Sequence, residues 1–168
     1  MQHRVGEEPG RGSERITAPE RITAIVREHA GEEGPALKVL RAVQAEFGYV
    51  PGEAVPVIAE ALNITRAELH GVLSFYHDLR REPPGRHVLR LCRAEACQAM
   101  GASALAEAAL QRHGLAWGGT SADGALTVEP VYCLGLCSCS PSALFDDEPV
   151  GRLDAAGFDR LVSRARSS

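Results

Sequence analysis

The apolar residues follow two different periods along the chain, and the change comes near residue 86. Between about residues 19 and 78 they recur every three or four positions, in four short runs. Breakers such as Gly34 and Gly48 separate these runs. Four short helices joined by short loops are typical of a small antiparallel bundle, which we predict over residues 19–85.

The fourth run carries the clearest signal for the start of a helix. Thr65 followed three residues later by Glu68 matches a capping box, in which the two side chains satisfy backbone N–H groups at a helix start. Leu69 and Leu73 then continue the apolar stripe. We therefore expect a helix that begins just after Thr65 and turns its leucines toward the bundle.

From residue 86 onward the apolar positions alternate or form short runs, which favours strands interleaved with helices. The predicted elements are a strand ending at Cys92, a helix closed by Gly114, a strand over about 125–132, a strand over 143–145, a strand containing Val150 and a final helix capped by Asp154. This βαβββα order predicts a small sheet covered by helices over residues 86–168. The whole chain is therefore predicted to be α+β, with the helical bundle first.

The first 18 residues differ in composition from everything that follows. They are rich in Gly, Glu and Arg and contain almost no apolar side chains. A segment of this kind buries too little surface to offset the entropy cost of ordering. We therefore expect residues 1–18 to form a flexible tail.

Charge and hydropathy exclude several classes of function. The net charge is −4 and the basic residues are scattered, so there is no basic stripe to neutralise nucleic-acid phosphates. No apolar run approaches the roughly 20 residues that cross a bilayer, and the N-terminus lacks the apolar segment of a secretory signal. We therefore expect a cytoplasmic protein with no membrane insertion and no nucleic-acid partner.

Four of the five cysteines form two closely spaced pairs, Cys92-x₄-Cys97 and Cys133-x₃-Cys137. Each pair is predicted to lie in a loop just after a strand, and loops from neighbouring strands can bring four sulfurs to one point. Cytoplasmic thiols stay reduced, so paired cysteines favour metal binding over disulfides. Four thiolates form the ligand set of a [2Fe–2S] cluster, which is the interpretation we favour for these four residues.

The neighbours of the cysteines also suit an anionic cluster. Backbone N–H groups of residues 94–97 and 134–137 can donate to its sulfur atoms, and Gly135 permits the tight turn that this requires. We expect a helix that begins after Cys97 to direct the positive end of its dipole toward the same place.

Two alternatives stay open at this level. Structural zinc also takes four cysteines, although gaps of four and three residues are an unusual pair for a zinc knuckle. In that case the chain would be a zinc-stapled interaction module. Cys139 lies close enough in sequence to replace Cys137 as the fourth ligand, or it is a packed side chain beside the site. Thioredoxin-type thiol exchange is excluded because the chain has no Cys-x-x-Cys.

The segments LCRAEACQAMGA and EPVYCLGLCSCSPSALF resemble the thioredoxin-like [2Fe–2S] ferredoxin family. That family includes the 24-kDa-type subunit of respiratory complex I and related subunits of NAD-linked hydrogenases and formate dehydrogenases. FGYVP and LNITRAELHGVLSFYHDLR resemble its N-terminal bundle. The resemblance implies a thioredoxin-like fold for residues 86–168. It also implies one cluster, with the ligands Cys92, Cys97, Cys133 and Cys137.

Within the family, CRAEACQAMG and VYCLGLCSCSPSAL most resemble the gamma subunit of soluble, molybdenum-containing, NAD-dependent formate dehydrogenases. This implies an electron-transfer subunit that docks on a flavin- and NAD-binding beta-type subunit. Formate would be oxidised at a molybdenum cofactor in an alpha-type subunit, so FMN, NAD and molybdenum cofactor would belong to the partners. The chain itself has no dinucleotide fingerprint, Walker motif or nucleophile elbow, and we predict no catalytic residue.

Overall fold

The computed structural model describes residues 18–167, which divide into two compact units, one ending at Arg81 and the other beginning at Glu82. The predicted flexible tail lies outside the described residues, apart from Ala18, which already belongs to a helix. In the described part of the chain, no helix is both long and apolar enough to cross a membrane.

The first unit consists of the four predicted helices. Their bounds are α1 Ala18–His29, α2 Pro35–Phe47, α3 Ala54–Ala61 and α4 Arg66–Phe75. Each contributes aliphatic side chains to one shared core, among them the fully buried Ile22, Leu40, Ile58 and Leu69. The helical period found in the sequence is therefore confirmed over this half of the chain.

Local sequence signals fix where these helices begin and end. The side chain of Thr65 accepts the backbone N–H of Glu68 at 3.1 Å, and the Glu68 carboxylate accepts the N–H of Thr65 at 2.7 Å. The predicted capping box is thus formed at the start of α4. At the end of α2, Gly48 adopts a left-handed conformation with φ of 81°, which glycine takes without steric cost.

The second unit has the predicted βαβββα order, except that two helices and not one follow the first strand. Its elements are β1 His87–Cys92, α5 Glu95–Ala99, α6 Ala102–His113, β2 Leu126–Val131, a 3₁₀ turn Cys137–Cys139, β3 Ala143–Phe145, β4 Glu148–Val150 and α7 Ala155–Ser167. The four strands form one sheet in the order β2-β1-β3-β4. β1 runs parallel to β2, whereas β3 is antiparallel to both β1 and β4. The α+β fold class is confirmed.

The core of this unit lies between the sheet and the helices α6 and α7. It is formed by apolar residues of the central strands and of both helices, including Leu89, Val128, Phe145, Ala109 and Phe158. Burial on the sheet face fixes the strand register, because a slip of one residue would turn these side chains to the opposite face. The register places Cys92, the last residue of β1, opposite Val131, the last residue of β2.

Two details of the sequence prediction are wrong around the first cysteine pair. Cys92 is the last residue of β1, where the predicted strand ends, and so is not in the loop expected for the pair; its N–H donates to the Ser142 carbonyl at 3.0 Å. Cys97 lies inside the short helix α5, and a second helix begins only after Gly101. A helix of five residues is too short to produce a recognisable apolar period.

The carboxylate of Asp154 caps the last helix, as the sequence indicated, by accepting the N–H of Gly157 at 2.6 Å. We expect Asp154→Ala to destabilise the second unit by about 1 kcal/mol, because the first turn of α7 loses this acceptor. For a unit of this size the loss corresponds to a fall in Tm of about 4–8 °C, measurable by circular dichroism.

Asp147→Ala is the matched control for the capping prediction. The side chain of Asp147 is 97% exposed and makes a surface ion pair with Arg90 at 3.4 Å, an interaction of at most about 1 kcal/mol. Equal Tm values for the two variants would contradict a capping role for Asp154.

Candidate metal centre

The parallel pairing of β1 and β2 determines where the cysteines meet. Parallel strands end at the same edge of a sheet, so Cys92 at the end of β1 lies beside the end of β2 at Val131. The N–H of Arg93 donates to the Val131 carbonyl at 2.8 Å and holds the two chain segments together one residue further on. Cys133 follows only two residues after Val131.

A tight turn brings the second pair of thiols together. The Sγ atoms of Cys133 and Cys137 lie 3.9 Å apart, and both residues are exposed. Cys133 has φ of 72° and Gly135 has φ of 75°, so the turn depends on two left-handed residues. A non-glycine residue in this region costs about 1–3 kcal/mol and is found mainly at functional sites. Such strain is consistent with a turn shaped for ligand binding.

The first pair of thiols is buried. Cys92 and Cys97 are only 4% and 2% exposed. The Sγ of Cys97 also lies 3.4 Å from the hydroxyl oxygens of both Ser140 and Ser142. The site therefore has a buried half, lined by serine hydroxyls, and an exposed half.

The thiols lie close enough to influence one another's ionisation. The pKa of Cys137 is raised by its hydrogen bond to Cys133 and by the charge on Cys133, with weaker contributions from Cys97 and Cys92. Burial opposes ionisation of Cys97, but the hydrogen bonds around its sulfur, among them the one with the Ser142 hydroxyl, outweigh it and hold the pKa of that thiol below its usual value. The raised pKa of Cys137 therefore reflects first its hydrogen bond to Cys133 and then the neighbouring negative charge, a repulsion that a bound cation would relieve.

Cys139, which the sequence left as an alternative to Cys137 for the fourth ligand, packs in a different direction. Cys139 packs closely against Gly151: a Cβ added to that glycine would lie 2.6 Å from the Cβ of Cys139. The Sγ of Cys139 lies 3.8 Å from the Ser138 hydroxyl. The N–H of Arg152 donates to the Cys139 carbonyl at 2.6 Å. Cys139 is thus packed against the segment between β4 and α7, whereas Cys137 faces Cys133.

The structure leaves the four thiols as one buried pair and one exposed pair. A tetrahedral zinc ion, with bonds of about 2.3 Å to sulfur, draws all four thiols around one point. A [2Fe–2S] cluster instead requires two thiolates for each of two irons, which matches one buried and one exposed pair.

Residues 22–166 match the sequence profile of the thioredoxin-like [2Fe-2S] ferredoxins. The chain belongs to this family. A [2Fe–2S] cluster is accordingly its cofactor, and the thioredoxin-like fold expected for the second unit agrees with its helices and four-stranded mixed sheet.

Relatives of this ferredoxin-family chain include the 24-kDa-type subunits of two bacterial NADH-quinone oxidoreductases. The chain is 35% identical over 127 residues to the subunit from Pseudomonas aeruginosa, an alignment that covers 76% of each chain. It is 32% identical over 152 residues to the corresponding subunit from Escherichia coli K12, covering 89% of this chain and 91% of that relative. The expected likeness to formate dehydrogenase gamma subunits stays a prediction.

A solved structure shares the fold of this family member. A chain of the NAD+-reducing [NiFe]-hydrogenase in the air-oxidized state superposes with a TM-score of 0.59 at 24% identity. The superposition covers 91% of the present chain but only 24% of the hydrogenase chain. At this identity the likeness concerns the fold alone.

Sequence reasoning missed the two serines beside Cys97. Ser140 and Ser142 flank Pro141 and resemble ordinary loop residues in the sequence, yet they are only 9% and 3% exposed. Their position next to a predicted strand was the one available signal, because a hydroxyl buried at a strand end needs a partner. Their proximity to Cys97 depends on β3 pairing with β1, which the sequence alone did not specify.

Single serine substitutions test the choice between Cys137 and Cys139. We expect Cys137→Ser to lose most of the bound iron, because the exposed pair would keep one thiolate only. We expect Cys139→Ser to retain about two irons and two labile sulfides per chain, the content of one cluster. Colorimetric iron and sulfide analysis of the purified variants makes the comparison. The reverse pattern would assign the fourth ligand to Cys139.

Proposed function

We propose that this chain is an electron-transfer subunit of an NAD-linked oxidoreductase complex. Its one [2Fe–2S] cluster would be held by Cys92, Cys97, Cys133 and Cys137. The observation that carries the proposal is the placement of these thiols, as one buried and one exposed pair, beside two parallel strand ends. The membership of the chain in a [2Fe–2S] family supports it independently.

The residues around the thiols suit an electron carrier. When bound, the cluster supplies one-electron transfer. Cys92 and Cys97 exclude water on one side, while Cys133 and Cys137 lie at the surface. A carrier needs both a shielded side, which limits side reactions, and an exposed edge through which electrons pass to a partner.

Two large apolar side chains near the thiols support a partner at this exposed edge. Tyr132 is 70% exposed and directly precedes Cys133. Met100 is 63% exposed and directly follows the helix that contains Cys97. Tyrosine and methionine are enriched in the contact regions of protein interfaces. We propose that this edge faces the flavin- and NAD-binding beta-type subunit.

The parent complex is proposed to be a cytoplasmic, NAD-dependent formate dehydrogenase. The support is the sequence of the segments CRAEACQAMG and VYCLGLCSCSPSAL, which resembles that of the gamma subunits of such enzymes. In that complex a molybdenum-containing alpha-type subunit would oxidise formate, and FMN and NAD would bind the beta-type subunit. The second candidate is NADH-quinone oxidoreductase, because both relatives described above belong to that enzyme and the alignments cover 76–91% of their length.

The electron-transfer role is tested by Cys92→Ser in the purified complex. We expect loss of the EPR signal of this cluster and a fall in NAD-linked turnover of about tenfold or more, with unchanged subunit composition. Cys139→Ser is the control and should keep both the signal and the turnover. A complex that assembles without this cluster and turns over at the wild-type rate would show that the cluster has a structural role.

The parent complex is tested by co-purification on an affinity tag placed at either end of the chain. We expect a flavin-containing subunit together with a subunit that carries molybdenum, measured by mass spectrometry of the proteins and by metal analysis. Recovery of integral membrane subunits and no molybdenum would instead assign the chain to NADH-quinone oxidoreductase.

A further inference from the structure

The buried half of the site contains two hydroxyl groups that the proposed function does not use. The Oγ atoms of Ser140 and Ser142 each lie 3.4 Å from the Sγ of Cys97, and all three residues are buried. Among the described residues, every buried side-chain nitrogen or oxygen has a hydrogen-bond partner. These hydroxyls therefore take part in defined hydrogen bonds within the site.

The two serines differ in where their single hydroxyl proton points. Ser140 Oγ donates to the carbonyl of Cys137 at 2.9 Å. In its contact with Cys97, Ser140 accepts the thiol proton. Once Cys97 binds iron it has no proton left to donate, so this contact loses its hydrogen bond while the proton of Ser140 stays on the Cys137 carbonyl.

Ser142 is placed differently, and its contact with Cys97 survives metal binding. Either atom of that contact can be the donor, so the hydroxyl of Ser142 donates once the sulfur is a thiolate. The Ser142 carbonyl accepts the N–H of Cys92 at 3.0 Å, which fixes the backbone of Ser142 to the end of β1. The hydroxyl is therefore held beside the sulfur by a rigid scaffold.

We propose that Ser142 raises the reduction potential of the cluster by donating a hydrogen bond from its hydroxyl to Cys97 Sγ. This inference rests on the proposed function. Reduction adds one electron to the cluster and leaves the hydroxyl proton on Ser142. The added negative charge spreads onto the cysteine sulfurs, and a donor strengthens its bond to an acceptor that becomes more negative. Ser142 thus stabilises the reduced form more than the oxidised form.

The test is a redox titration of the full-length chain with dithionite, followed by EPR of the reduced cluster. At a fixed potential, Ser142→Ala is expected to lower the ratio of reduced to oxidised cluster by about threefold to tenfold. A tenfold change corresponds to a fall in reduction potential of about 59 mV for a one-electron couple. Ser140→Ala should produce a smaller shift, because its proton points at the Cys137 carbonyl. Ser138→Ala is the matched control, since Ser138 is exposed and belongs to the same segment. It should titrate like the wild type.

Iron content separates the possible failures. Wild-type protein without iron would overturn the proposed function and this inference with it. Fully loaded Ser142→Ala with the wild-type potential would overturn the role of Ser142 alone. If Ser142→Ala loses its cluster, Ser142→Thr and Ser142→Val form a pair of equal shape that differs only in the hydroxyl. The threonine variant should then have the higher potential, and equal potentials would overturn the proposal.

Discussion

Four thiols that repel one another when ionised are held at one edge of the sheet, and the rest of the second unit is arranged around that constraint. The ionisation of Cys137 is suppressed by its neighbour Cys133 and, more weakly, by the buried pair. The fold maintains this unfavourable arrangement through the parallel pairing of β1 and β2 and through a left-handed residue at Cys133. The iron–sulfur core, which is cationic when counted without its four thiolates, turns the same arrangement into a favourable one, because metal binding replaces repulsion with attraction.

The two halves of the site meet different physical demands. Cys92 and Cys97 are buried, and the hydroxyl of Ser142 lies where it can compensate the charge on the Cys97 sulfur. Cys133 and Cys137 lie at the surface beside the exposed Tyr132. A centre that is shielded on one side and open on the other suits a protein that exchanges electrons with a docked partner. In this account the buried half tunes the potential and the exposed half provides the route.

The sequence predicted most of the fold because its signals are local. Helical periods, the Thr65–Glu68 capping box and the Asp154 cap each depend on residues within one or two turns, and all three are found in the structure. The placement of Cys97 in α5 escaped prediction because five residues carry no period. The contact of Ser142 with Cys97 depends on the pairing of β1 with β3, more than 40 residues apart, which local patterns do not encode.

The central claim is that the four thiols hold two irons rather than one zinc ion. X-ray absorption at the iron and zinc edges of the purified full-length chain tests it most directly, because the method identifies both the metal and its neighbours. The account predicts iron surrounded by four sulfur atoms, with a second iron as the next neighbour. A zinc edge with four sulfur neighbours and no nearby metal would contradict it.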